Sequence, residues 1–148
     1  RDTDDWKWKN DDVAVEYICN KPEDDGVCKD VALVLSLSGT IHEDSYKELA
    51  SGMPVYEIAI ESPNPAFLNN KVTLQKFKAL YRSVISEIQA QHGSDSQIHL
   101  LPAIPAPIAV ACGQQLLPKA DPLLTVYDFD HEQGGFIKTL TVNNYDKY

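Results

Sequence analysis

The sequence predicts an α/β fold: a mostly parallel sheet flanked by helices and closed by a C-terminal β-hairpin. Three observations carry that prediction. Apolar runs of strand length recur at 31–37, 55–60 and 97–101, with helical patterns between them, the alternation that parallel strands with crossover helices produce. The run 31–37 (VALVLSL) is apolar at almost every position, which requires burial on both faces of a sheet. The last two strand-like runs, 123–129 and 136–142, are joined by DHEQGG at 130–135, whose glycine pair suits a hairpin turn.

Taken in order, 1–12 (RDTDDWKWKNDD) is polar and charged, with Trp6 and Trp8 at alternate positions. In an extended segment both rings fall on one side, so we read it as a linker, or the end of a preceding region, with an aromatic anchor. Residues 13–148 then form one domain. The stretch 13–19 (VAVEYIC) has strand composition, and 20–30, with Pro22, Asp25 and Gly26, reads as a loop. After the strand 31–37, residues 42–50 (HEDSYKELA) predict a short helix with acids in its first turn, as the macrodipole prefers. The strand 55–60 stops at Glu61-Ser-Pro-Asn-Pro65, where two prolines forbid its continuation. Leu74, Phe77, Leu80, Tyr81, Val84, Ile85 and Ile88 form a stripe at helical spacing over 73–91, and Gly93 supplies a stop. The strand 97–101 follows. The segment 105–117 is so apolar that a helix there is expected to be buried on most sides.

A chain of 148 residues can bury one real core without metal or disulfide staples. Cys19, Cys28 and Cys112 are an odd set with no C-x-x-C spacing, which disfavours zinc and a secreted disulfide framework and fits a reducing cytoplasm. The net charge is −9, and residues 1–30, with ten acidic and five basic side chains, supply −5 of it. Such a chain has no electrostatic footprint for duplex nucleic acid or an anionic membrane, and no apolar run is long enough for a span. A small phosphate-containing ligand is still compatible, because backbone N–H groups hold phosphate without a basic patch. The first residue is Arg rather than Met, from which an upstream segment is expected.

Ligands of open α/β sheets bind outside the carboxyl ends of the strands, which singles out three loops. The first holds Ser36, Leu37, Ser38, Gly39 and Thr40, hydroxyls around a glycine that allows close backbone approach, before a predicted helix start. The alternative is that Ser-Gly-Thr only turns the chain and caps a helix. No Walker loop and no G-x-G-x-x-G is present. The second loop contributes Ser62, Pro63, Asn64 and Phe67 by position in the sheet. The third, Pro102, Ala103, Ile104 and Pro105, offers small apolar surface suited to a nucleobase; its prolines could instead form a P-x-x-P ligand or simply start a helix. His42, His92, His99 and His131 are dispersed without ligand spacing. A Ser36–His99 pair would lack an acid to orient the base, and Asp128 with Asp130 reads as turn chemistry. No catalytic residue, metal or cofactor is assigned.

With these loops in place the chain resembles a SAVED domain, the CARF-related sensor module of effectors in CBASS anti-phage systems. The resemblance rests on VALVLSLSGTI at 31–41, FKALYRSVISEI in the long helix, IHLLPAIPAPIAVACGQ at 98–114, PKADPLLTVYD at 118–128 and the Gly-Gly-Phe hairpin. It implies a Rossmann-like, CARF-like half of a SAVED domain, the C-terminal one. It further implies a non-catalytic sensor that binds a cyclic di- or oligonucleotide second messenger and relays binding to a fused or associated effector, a step we expect to proceed by ligand-induced oligomerisation. The implied partners are that messenger, the other half of the domain or another copy of the chain, and an effector domain, which could be a nuclease, NADase or protease. Two other readings are a ring-nuclease-like enzyme that degrades the messenger and a proteolysed interaction subunit.

Overall fold

The computed structural model describes residues 16–22, 28–64, 68, 71–93, 95–104, 106–114, 123–130 and 135–142. The expectations for the 1–12 linker with Trp6 and Trp8, for 13–15 of the first strand, and for Phe67, Pro105, His131, residues 115–117 and the 131–134 turn lie outside them.

Six strands form one sheet: β1 (Tyr17–Asn20), β2 (Asp30–Ser36), β3 (Val55–Ile60), β4 (Gln97–Ala103), β5 (Leu123–Asp130) and β6 (Gly135–Val142), in the order β1-β3-β2-β4-β5-β6. The inner pairs β3–β2, β2–β4 and β4–β5 are parallel, and β1 and β6 close the edges antiparallel to β3 and β5. The mostly parallel α/β sheet and its terminal antiparallel strand pair are therefore as the sequence predicts. β2 lies at the centre, which explains why all but the first of its residues are buried.

The chain leaves β2 toward β3 and then crosses back over it to β4 and onward to β5. Right-handed crossovers place connections that travel in opposite directions on opposite faces. Accordingly the helices α1 (Lys71–His92) and α2 (Ala106–Gln114) share one face, where Phe77, Tyr81, Ile85, Ile88, Ile108 and Cys112 pack on Leu33, Leu35, Tyr56, Ile58, Ile98 and Leu124. Each fully buried Leu or Ile in this layer contributes about 1.5–3 kcal/mol of apolar transfer. The β2–β3 connection covers the other face, where Ile41, Tyr46, Leu49, Ala50 and Met53 pack on Ala32, Val34, Leu101 and Tyr127.

α1 buries Thr73, Phe77, Tyr81, Val84, Ile85, Ile88 and His92, a stripe at three- and four-residue intervals. It ends as predicted at Gly93, whose φ of 99° is left-handed and whose N–H donates to the Gln89 carbonyl at 2.9 Å, closing the last turn. The 42–50 helix is a correction. That segment is a 3-10 turn at Glu43–Ser45 followed by further turns, with i→i−3 bonds such as Ser45 N–H to His42 O and Ser51 N–H to Glu48 O. His42 makes no side-chain cap bond, so nothing holds the first orphan N–H groups of a longer helix.

α2 is a second correction. Ile108, Ala111 and Cys112 are buried, but Ala109 and Val110 face outward, Val110 being 59 % exposed. A helix laid on one face of a sheet meets it along one side only, whatever the composition of the other. β4 runs on through Pro102 to Ala103, beyond the predicted end at 101. The β4–β5 ladder stops at Leu100 and Val126, so past that point β4 behaves as an edge and accommodates a residue without an N–H.

Candidate functional site

The sheet reverses its direction of growth at β2, with β3 on one side and β4 on the other. That reversal opens the crevice at the carboxyl ends where such folds take ligands. The three loops singled out in the sequence follow β2, β3 and β4, and backbone hydrogen bonds join them there. The N–H groups of Leu37 and Ser38 both donate to the Ala103 carbonyl, at 3.1 and 2.7 Å, and the Asn64 N–H donates to the Leu37 carbonyl at 3.1 Å. The Leu37–Ser38 peptide is thus clamped between the second and third loops.

The predicted residues take different positions around this clamp. The Leu37 side chain is buried in the core, so only its main chain serves the edge. Ser38 and Gly39 are half-buried and Thr40 is exposed. A Cβ on Gly39 would meet nothing within 4 Å, and its φ lies outside the left-handed region. The space beside it is open. Among the described residues the Gly39 and Thr40 N–H groups have no acceptor, unlike those of Leu37 and Ser38. Ser62 and Asn64 are exposed and Pro63 half-buried, and the Asn64 side chain donates to the Ser62 carbonyl at 2.9 Å. Pro102, Ala103 and Ile104 are half-buried, with Ile104 packed against the core. Phe67 and Pro105 lie outside the described residues.

Ser36 is enclosed, at 2 % exposure. Its hydroxyl donates to Glu57 Oε2 at 3.0 Å and accepts the Ile41 N–H at 3.3 Å. Glu57 also accepts from Asn20 Nδ2 at 3.4 Å. The Tyr46 phenol lies near by; burial first, then the charges of Glu57 and Glu43, push its pKa up. The sequence reading passed over Glu57, although a lone acid inside VYEIAI at 55–60 was a visible signal.

The Ser36–His99 pairing does not occur. His99 lies opposite Ala32 in the register, four residues and about 13 Å from Ser36 at strand rise. Its Nδ1 pairs with the Tyr127 hydroxyl at 2.9 Å and its Nε2 with Asp30 Oδ1 at 3.0 Å. This Asp30–His99–Tyr127 chain ties β2, β4 and β5 together. Among the described residues no three His, Cys, Asp or Glu side chains come together as a metal site, and no helix is long and apolar enough to cross a membrane.

Residues 1–142 match a family described as the SAVED, or SMODS-associated and fused to various effectors, sensor domain. No curated protein matches the chain by sequence. Among solved structures, the chain is similar to the Acinetobacter baumannii Cap4 SAVED/CARF-domain containing receptor with the cyclic trinucleotide 2'3'3'-cAAA, at 17 % identity and a TM-score of 0.58. It is likewise similar to the same receptor with 3'3'3'-cAAA, at 16 % identity and a TM-score of 0.57. Both alignments cover 94 % of this chain but only 29 % and 30 % of the receptor chains. At these identities the likeness is one of fold.

Proposed function

The chain belongs to the SAVED family of sensor domains, and from that premise we propose that it binds a cyclic oligonucleotide second messenger at the carboxyl edge of its sheet. In this reading residues 13–148 act as a non-catalytic cytoplasmic sensor that passes binding on to a fused or associated effector in bacterial anti-phage (CBASS) defence, through ligand-induced assembly with the other half of the domain or another copy.

The observation that carries the reading is the clamp at Leu37 and Ser38, which draws all three loops into one edge. The clamp uses the inner N–H groups and leaves those of Gly39 and Thr40, with the Ser38 and Thr40 hydroxyls, for phosphate or ribose oxygens. Pro102, Ala103 and Ile104 offer apolar surface to a base, and Ser62, Pro63 and Asn64 border the opposite side. Ser36 and Leu37 shape the loop from below. The acidic chain suits a ligand held by backbone dipoles rather than by a basic patch. The cyclic trinucleotides in the Cap4 receptor structures make this ligand class the first to test.

A catalytic reading has less support, because the Ser36 hydroxyl is enclosed and its proton is directed at Glu57, and among the described residues no histidine is hydrogen-bonded to it. The test incubates the full-length protein with labelled cyclic di-, tri- and tetranucleotides and examines both complex and nucleotide. Saturable retention of an intact ring is expected. Linear products would overturn the non-catalytic assignment, and retention of none of the panel would overturn the ligand class.

A further inference from the structure

We infer that Glu57 is a positioning residue for the ligand-side loop and acts through Ser36; the consequence for affinity rests on the ligand reading above, while the consequence for loop geometry does not. Glu57 lies on β3, opposite Val34 in the register, on the face covered by Ile41 and Tyr46. A strand position on that face would accept an apolar residue, and a half-buried carboxylate there costs desolvation unless it is hydrogen-bonded. Stability alone does not call for an acid at 57.

What the carboxylate does is orient a hydroxyl. Ser36 Oγ has one proton and two lone pairs. With the proton donated to Glu57 Oε2 at 3.0 Å, a lone pair is left for the Ile41 N–H at 3.3 Å. Donation to an anion also makes the serine oxygen a better acceptor, since linked hydrogen bonds polarise one another. The Ser36–Ile41 bond closes a loop over 37–40 from below, while the Ala103 and Asn64 bonds hold its first two residues from the sides. Three ties thus fix the turn that leaves the Gly39 and Thr40 N–H groups free. Among the described residues the hydrogen bonds of Glu57 go to Ser36 and Asn20, so its influence on the turn passes through Ser36.

The test measures amide hydrogen exchange in the ligand-free full chain, then affinity for the best-bound member of a cyclic di-, tri- and tetranucleotide panel. Glu57→Ala should speed Ile41 exchange by roughly tenfold or more, as loss of a charge-assisted hydrogen bond implies, and weaken binding by a similar factor. Glu57→Gln retains an acceptor oxygen without the charge and should restore both in part. Ser36→Ala should match Glu57→Ala, and the double substitution should add little, because the two act as one unit. Unchanged Ile41 exchange in Glu57→Ala, no rescue by glutamine, or additive effects would overturn the strut. Faster exchange with unchanged affinity would overturn its role in binding. If the wild-type protein binds none of the panel, the ligand reading fails, while Ile41 exchange still decides the strut.

Discussion

The Ser38 N–H donates to the Ala103 carbonyl at 2.7 Å, so the pairing of β2 with β4 continues past the strand end and into the loop proposed to hold the ligand. Two neighbouring amides of that loop are therefore spent inside the protein and the next two are not. In the free protein the Leu37 and Ser38 amides should exchange slowly and those of Gly39 and Thr40 fast, because exchange follows local hydrogen bonding and opening. Addition of a bound cyclic oligonucleotide should slow the second pair. Uniform exchange across 37–40 would contradict the clamp.

The two described loop glycines on which the site and the long helix depend should respond oppositely to a methyl group. Gly93 has φ 99°, and a Cβ there would stand 3.0 Å from Asp95 Oδ1, so Gly93→Ala should cost about 1–2 kcal/mol of stability. Gly39 has open space and an ordinary φ, so Gly39→Ala should stay within about 0.5 kcal/mol of wild type. Urea unfolding of the two variants gives the comparison.

Much of this was legible in the sequence. The continuous apolar run of β2, the alternation in β3 and the stripe of α1 are periodicities that tertiary packing reinforces, so the strands, the long helix and its glycine stop could be read directly. The 42–50 segment could not, because its composition suits a short helix while the missing cap at His42 and a small patch at Ala32 and Val34 favour a thin layer of turns. The extension of β4 through Pro102 depends on where β5 departs, a long-range fact absent from local pattern. At the site, placement after β2, β3 and β4 was enough to group the three loops. The burial of Ser36 follows from the run 31–37, but its hydrogen-bond partner was not legible, because Glu57 comes from a neighbouring strand.

Burial pushes the Cys112 thiol up to about 12, against the smaller opposing effect of the Tyr81 hydroxyl beside it. A pKa raised in the folded state gives stability that is fully present below the unfolded thiol value of about 8.5 and lost as pH rises toward about 12. Urea midpoints should therefore fall above pH 8.5, with Cys112 contributing at most about 1.4 kcal/mol per pH unit. Cys112→Ala should flatten the fall. In the native protein at pH 8 iodoacetamide should label half-buried Cys28 before buried Cys112, and equal labelling rates by mass spectrometry would contradict the buried assignment.

If binding is to become a signal, ligand must prefer one assembly state, since it shifts an equilibrium only by its differential affinity. A ligand bridging this edge to a different surface on a partner makes a heterologous contact, which leads to rings or filaments rather than a closed dimer. The full-length protein should be monomeric or weakly dimeric alone and form larger species with ligand by light scattering. An unchanged mass at saturation would remove the assembly mechanism and leave binding to its own test.

The most direct test of the account is calorimetric titration of the full-length protein with cyclic di-, tri- and tetranucleotides, run in parallel on wild type and Gly39→Glu. The open space at Gly39 lets the glutamate fold without a clash of its Cβ, while its carboxylate would repel phosphate and fill the approach to the loop. The account predicts saturable binding of at least one ring by wild type and its loss in Gly39→Glu, with both proteins unfolding at similar urea concentrations. Wild-type protein that binds no member of the panel, or a Gly39→Glu protein that binds as tightly as wild type, would contradict it.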